Sequence, residues 1–294
     1  MYSLVIPLYN KQNHIERAVD SALRQTKAFQ EIIIVDDGSE DDGASLIEKR
    51  YAGKVKLVKQ PNRGVSAARN AGIHKATSKF VCLLDADDEL EDSFLETIDQ
   101  LNTMHPDCKI FTVSHYVCIA EDCKARNPEG KTFKTDKPVL RYAFNYGLIN
   151  SSSVCMEREV LLQFPFPEGV KDGEDIYVWL RAFSHHALVH SAMPLVLIHK
   201  DADNRSALRD DGIPYHLSFF LDNPSDCSWA VNVFLFLNAI RQCYGYSALG
   251  RKAYVANTLN LLKKKRPFWY LLASPSLIVS PRVFFAAKKI LGRL

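Results

Sequence analysis

The 294-residue sequence has no apolar run of the roughly 20 residues needed to span a bilayer as a helix, which excludes an integral membrane enzyme. It has no Cys-x-x-Cys pair to gather thiolates around zinc. Its seven cysteines, at 82, 108, 118, 123, 155, 227 and 243, read as reduced core or surface thiols. Glycine and proline number only 13 each, so collagen-like and low-complexity architectures are out. No basic stretch and apolar segment with a cleavage site precede Ser3-Leu4-Val5-Ile6, and the expected location is the cytosol. Acidic residues are absent from 227–294, where there are 11 basic ones, whereas residues 1–226 hold 34 acidic against 26 basic. The formal net charge of +3 therefore conceals a polarised chain whose C-terminal segment is suited to an anionic surface.

With 47% hydrophobic and 24% charged residues, the chain can bury a full core. Its first 90 residues alternate short apolar runs with helical patterns, the signature of βαβ units feeding a parallel sheet. The runs are Leu4-Val5-Ile6, Ile32 to Val35, Val55 to Val58 and Phe80 to Leu84, continuous as befits strands covered on both faces. Asn13 and Glu16 have capping-box spacing ahead of a helix, and further helices are expected near 41–52, 65–76 and 91–103. Beyond Pro106 the pattern predicts a strand at 109–118, a polar loop at 120–137, a helix around 138–146 and a strand near 152–156. A helix at 174–185, a strand at 187–198 and a charged loop at 201–211 follow, and from Trp229 onward the pattern is all-helical.

In doubly wound sheets ligands bind beyond the carboxyl ends of the strands, and those ends are polar here: Pro7-Leu8-Tyr9-Asn10, Asp36-Asp37-Gly38-Ser39 and Asp85-Ala86-Asp87-Asp88-Glu89. Ser39 and Asp41, taken singly, read equally as helix caps. In an extended segment Asp85 and Asp87 project to one side and place two carboxylates near one cation. Such a pair needs a counter-charge, which Mg²⁺ or Mn²⁺ with a diphosphate supplies; the competing reading is a solvated acidic turn. The run Asn62-Arg63-Gly64 to Gly72 opens a helix at the same sheet edge. Arg69 within it suits either a ligand contact or a salt bridge to a strand-end aspartate.

These segments resemble glycosyltransferase family 2, nucleotide-sugar enzymes of the GT-A fold. The likeness spans about residues 2–205 and rests on Val5 to Asn10, Val35 to Asp41, Asn62-Arg63-Gly64 with Ala68 to Gly72, Leu84 to Asp88, and Gly173-Glu174-Asp175. It implies an α/β, GT-A-like fold; together with the sequence pattern this gives a catalytic domain over 1–215, with a nucleotide-binding half (1–105) and an acceptor half (106–215), and the all-helical pattern and basic bias give a helical basic region over 216–294. By the same resemblance Pro7, Tyr9, Asp37, Asn62, Arg69, Asp85 and Ala86 would hold the donor, with Asp37 accepting from the imide N–H if the base is uracil. Asp87 would bind a Mn²⁺ or Mg²⁺ cofactor, joined by Asp85 and by His199 if the latter is a ligand rather than structural. Arg205 or Lys200 would face phosphate. Glu174 and Asp175 match the family's acidic pair, with Asp175 as general base of an inverting single displacement; otherwise they are an acidic pair favoured by the helix dipole. No Gln-x-x-Arg-Trp motif is present, which favours single addition over processive synthesis.

The implied partners are a nucleotide-sugar, read as a UDP-sugar, and a glycan or lipid-linked acceptor of surface polysaccharide synthesis. Residues 263–294 interleave Lys263-Lys264-Lys265-Arg266 with Phe268-Trp269-Tyr270, which suits either an anionic membrane surface at the inner face of the cell membrane or a helical cap. Nucleic acid is not expected beside an acidic domain. The alternatives are a binding-only pseudoenzyme and a sugar nucleotidyltransferase. The latter needs a Gly-rich loop after the first strand, which Pro7-Leu8-Tyr9-Asn10 lacks. A haloacid-dehalogenase-like phosphatase needs a nucleophile after its first strand together with motifs absent here.

Overall fold

The computed structural model describes residues 1–126, 130–200, 212–248, 252–268 and 270–271. In chain order the first half runs β1 (Tyr2–Leu8), α1 (Ile15–Leu23), β2 (Glu31–Asp36), α2 (Gly43–Arg50), β3 (Lys56–Lys59), α3 (Val65–Lys75), β4 (Phe80–Leu83), β5 (Glu89–Leu90), α4 (Phe94–Met104), β6 (Ile110–Ile119), β7 (Asp122–Arg126) and β8 (Phe133–Thr135). There follow α5 (Pro138–Phe144), β9 (Val154–Glu157), α6 (Arg158–Gln163), α7 (Glu174–Phe183), β10 (Leu188–His199), α8 (Tyr215–Asp222), α9 (Trp229–Ala248) and α10 (Lys252–Lys265).

The strands form one sheet in the order β3-β2-β1-β4-β9-β6-β10-β5, with β7 added to β6 and β8 to β10. β1, β2, β3 and β4 are parallel, and β9 is antiparallel to both β4 and β6, so β6 and its parallel neighbour β10 return to the direction of β4. The carboxyl ends of β1, β2, β4, β6 and β10 thus share one edge, which places every polar strand end named above on the same side. Leu4, Ile6, Ile32, Ile34, Phe80, Phe111 and Val189 are buried in one core cluster, as runs covered on both faces require.

Among the described residues the expected elements form, with three departures; the charged loop expected at 201–211 and the expected helical tail over 272–294 lie outside the described residues. The polar stretch 120–137 is not loop throughout: it carries β7 and β8, and β7 returns antiparallel along β6. In that hairpin Cys118 and Cys123 stand opposite each other and are joined by a disulfide, so these two are not the reduced thiols expected. The other five cysteines are free. Finally, Asn13 does not cap α1. The helix starts at Ile15 after His14 with no side-chain cap, so Asn13 precedes the N-cap and Glu16 falls at the second helical position, where it pairs with Arg50.

The chain forms two compact units that interleave in sequence. The first comprises Met1–Pro138, Asn145–Val170 and the described residues of Val178–Ala207; the second comprises Val139–Phe144, Lys171–Tyr177 and the described residues of Leu208–Leu294. The sheet belongs to the first unit. The second is built on helices: Tyr142 stacks on Phe234 at 4.7 Å, the Arg241 guanidinium donates to the Ala143 carbonyl, and Tyr254 donates to Gln242. Among the described residues no helix is long and apolar enough to cross a membrane.

Candidate active site

The loops leaving β1 and β2 are tied together by side-chain hydrogen bonds. Asn10, in the left-handed region at φ +50°, donates from its backbone N–H to Ser39 Oγ (3.1 Å) and accepts from Glu40 N–H at Oδ1 (2.8 Å). Gln12 N–H donates to Asp41 Oδ2 (2.8 Å), and Gln12 Oε1 accepts from Asp42 N–H (3.0 Å). Asp41 Oδ1 also accepts from Gly43 N–H (3.0 Å), the first residue of α2, although the N-cap position itself is Asp42 and not Asp41. Asn10, Lys11, Glu40 and Asp41 line a cleft of about 320 Å³. This lies at the lower end of the range of small-ligand pockets.

Asp37 follows β2 and is 2% exposed. Its Oδ1 accepts from Gln60 Nε2 (2.7 Å) and Arg63 N–H (3.0 Å), and its Oδ2 from Gly64 N–H (2.8 Å). Three of about four carboxylate lone-pair sites are thereby used within the chain. Asp37 organises the 60–64 loop that leads into α3. Gly38, at φ +73°, lets that loop approach, since a Cβ there would stand 2.8 Å from the Asn62 nitrogen. Asn62 itself is exposed, and Tyr9 presents its ring 40% exposed beyond β1, while Pro7 sits within β1 opposite Val35.

The segment after β4 departs from the extended geometry expected. Asp88 N–H bonds to Asp85 O (3.0 Å), closing a turn through Ala86 and Asp87, so Asp85 and Asp87 are not set side by side by strand alternation. Each meets a protein cation. Asp85 Oδ1 accepts from Arg69 Nη2 at 2.7 Å, the salt-bridge alternative for Arg69, with the guanidinium over Phe166 at 5.2 Å. Asp87 Oδ2 accepts from Lys11 Nζ at 3.0 Å, and the Asp87 carbonyl accepts from Arg17 (2.6 Å). The counter-charge assigned to a metal is therefore supplied in part by Arg69 and Lys11.

Asp88 lies deeper. Its Oδ2 accepts from the Ser152 hydroxyl (2.6 Å), its Oδ1 from His199 N–H (3.2 Å), and Ser152 Oγ in turn accepts from Asp85 N–H (3.1 Å). Burial first, then the neighbouring charge of Asp85, and also that of Asp87, push the Asp88 carboxyl up to about 7. His199 ends β10 with Nε2 3.7 Å from Glu89 Oε2. Arg205 lies outside the described residues. Lys11, Asp88 and Ser152 carry this network without having been singled out. Lys11 was detectable as the cation directly following Tyr9-Asn10, whereas nothing local marks Ser152 in its serine run.

Among the described residues no group of three or more His, Cys, Asp or Glu side chains is arranged to hold a metal. The donor set is two hard carboxylates, Asp85 and Asp87, each bonded to a basic side chain. This chemistry fits Mg²⁺ or Mn²⁺ only as an ion whose shell a diphosphate completes, not as a resident protein-caged metal.

In the second unit Glu174 and Asp175 form the first turn of α7, and Asp175 Oδ1 accepts from Ile176 N–H (2.6 Å), which satisfies one amide of the helix start.

The family described as Glycosyl transferase family 2 matches residues 3–147. An uncharacterized glycosyltransferase of Rickettsia bellii is 28% identical over 249 residues, covering 82% of this chain and 35% of the relative. The minor teichoic acid biosynthesis protein GgaA of Bacillus subtilis is 36% identical over 106 residues, covering 33% of this chain and 24% of that protein. The chain thus spans about a third or less of the length of these curated relatives. The crystal structure of S. aureus TarS 1-349 in complex with UDP-GlcNAc superposes with a TM-score of 0.73 at 17% identity, covering 90% of this chain and 81% of that one. The fold is that of TarS, GT-A, with a central sheet flanked by helices and with helices α8 to α10 after the sheet.

Proposed function

We propose, since residues 3–147 match glycosyl transferase family 2, that this chain is a glycosyltransferase moving a single sugar from a nucleotide-sugar to a glycan or lipid-linked acceptor in surface polysaccharide or teichoic acid synthesis. The observation that carries the reading is the convergence, on one sheet edge, of Asp37, Arg69 with Asp85, and Lys11 with Asp87. A donor with an anionic diphosphate meets there two cations already held in place, and the exposed Tyr9 ring offers a face for a base. UDP-GlcNAc, the ligand in complex with S. aureus TarS 1-349, is the first donor to try.

In this reading Asp175 acts as the general base. It takes the proton from the acceptor hydroxyl while that oxygen attacks the anomeric carbon, and the nucleoside diphosphate leaves from the opposite face with inversion. A base of this kind contributes about 10²- to 10⁴-fold. Asp85 and Asp87 would hold Mg²⁺ or Mn²⁺, which when bound neutralises charge on the diphosphate. Arg69 orients Asp85, and Lys11 neutralises Asp87 when no donor is bound.

The second unit would bring the enzyme to an anionic membrane carrying a lipid-linked acceptor. Trp229 and Phe268 are 68% and 65% exposed, and Lys263 and Lys264 are exposed near the end of α10. Each basic residue at an anionic leaflet is worth about 1 kcal/mol. Flotation with vesicles containing anionic lipid should recover the full chain and lose it on Lys263→Glu/Lys264→Glu; equal recovery rejects attachment.

The direct test is thermal denaturation with UDP, GDP, CDP and TDP, with Mn²⁺ and then with EDTA, followed by turnover. Stabilisation by one nucleotide, lost in Asp87→Ala, together with sugar transfer lost in Asp175→Asn, supports the reading. Nucleotide binding without any transfer or hydrolysis would identify a binding-only protein, and retained anomeric configuration would refute the inverting mechanism.

A further inference from the structure

The acidic turn at the head of α7 is held from below by α8. Gly173 precedes Glu174 with φ +79°, and a Cβ at that position would stand 2.4 Å from His216 Nδ1 and 3.1 Å from Pro214 Cβ. The first residues of α8 therefore occupy the space a side chain would need. Tyr215 N–H donates to the Asp172 carbonyl (2.9 Å), and Tyr177 N–H to the Gly173 carbonyl (3.2 Å). The Tyr177 ring meets Tyr215 and Phe219 of the same helix edge-on at 5.2 and 4.8 Å, a second contact between α8 and the first turn of α7.

The residue under the turn is not an ordinary packing choice. His216 is fully buried and its Nε2 lies 3.0 Å from Oδ1 of Asn238, which is 1% exposed on α9. Burying two polar side chains costs free energy that their mutual bond only offsets, and an apolar pair of the same shape would join α8 to α9 without that cost. The bond does fix the imidazole in one orientation. Nε2 is thereby engaged by the amide oxygen, and Nδ1 faces Gly173.

We propose that His216, locked by Asn238, is a positioning residue for Asp175: it sets the backbone of the Gly173-Glu174 turn, and so the direction in which the Asp175 carboxylate leaves α7. The inference rests on the reading of Asp175 as general base. Displacement of a reacting group by about 1 Å costs on the order of 10²-fold in rate, so a clamp on this turn affects turnover far more than it affects donor capture.

The test uses the full chain with His216→Ala, Asn238→Ala and His216→Gln, the last keeping an amide N–H for Asn238. In the two alanine variants, amide hydrogen exchange over 173–176 should accelerate by about tenfold or more, while exchange at 85–88 stays at the wild-type rate. UDP release from UDP-GlcNAc should fall in kcat by about 10- to 100-fold with donor KM within about twofold, and His216→Gln should recover part of the loss. Wild-type exchange over 173–176 in both alanine variants overturns the proposal, as does a folded His216→Ala with unchanged kcat or with KM and kcat degraded together. The exchange arm decides the clamp even if UDP-GlcNAc is not turned over. Undiminished UDP release by Asp175→Asn would remove the general-base reading and leave the exchange result standing, so the two failures are told apart.

Discussion

Ser152→Ala tests whether the strand-end carboxylates are held by a buried hydroxyl rather than by their own chain segment. Ser152 is fully buried; its Oγ–H donates to Asp88 Oδ2 at 2.6 Å and its Oγ accepts from Asp85 N–H at 3.1 Å. Truncation removes both partners at once and admits a space too small to be rehydrated well. A hydrogen bond to a charged group contributes about 1.5–3 kcal/mol, and a buried backbone N–H left without a partner costs about 1–3 kcal/mol. The sum is on the order of 3–5 kcal/mol if nothing relaxes, and about 2–3 kcal/mol if Asp88 takes up its proton, which its already raised pKa makes easy. Urea denaturation at pH 8, where Asp88 is ionised, should show the larger loss, and at pH 5.5, where it is protonated, the smaller. The turn carrying Asp85 and Asp87 loosens with it, so nucleotide stabilisation should fall in the same variant. A Ser152→Ala protein within about 0.5 kcal/mol of wild type at both pH values, with an unchanged nucleotide response, would refute the reasoning.

Three further outcomes are expected. Burial pushes the Glu31 carboxyl up, but hydrogen bonds from Lys56, Ser3 and Thr77 outweigh it and hold it down to about 2 against an ordinary 4.5. This depressed group contributes stability above about pH 4.5 that is lost as pH falls toward 2, so the wild-type advantage over Glu31→Gln, about 3 kcal/mol at pH 6, should shrink steadily in urea titrations below pH 4.5. Gly38→Ala must place a Cβ 2.8 Å from the Asn62 nitrogen at φ +73°; it should cost about 1–3 kcal/mol in chemical denaturation and weaken nucleotide binding. Alkylation of the unfolded, unreduced protein should modify five cysteines, and all seven after reduction; seven before reduction would remove the Cys118–Cys123 bond.

The parallel half of the sheet was readable because strands buried on both faces need unbroken apolar runs, and Ile32 to Val35 or Phe80 to Leu83 have no other economical conformation between turn residues. β7 was not readable for the opposite reason. All five of its residues are exposed, so it carries no alternation, and its pairing comes from β6 and the Cys118–Cys123 link. The capping box at Asn13 failed because α1 starts one residue later, after His14, so Asn13 and Glu16 miss the N-cap and third helical positions.

By itself the sequence determined which side chains reach the carboxyl edge of the sheet, since that follows from strand order and local periodicity: Tyr9, Asp37, Arg69, Asp85, Asp87. It also determined the basic bias of the last 68 residues, a matter of counting. Only the tertiary structure decided what each carboxylate holds. Lys11 reaches Asp87 across 76 residues, Ser152 reaches Asp88 across 64, and His216 comes to lie beneath Gly173 from a different helix. Such pairings depend on strand register and helix packing between distant segments, and no pattern confined to a few neighbouring residues encodes them.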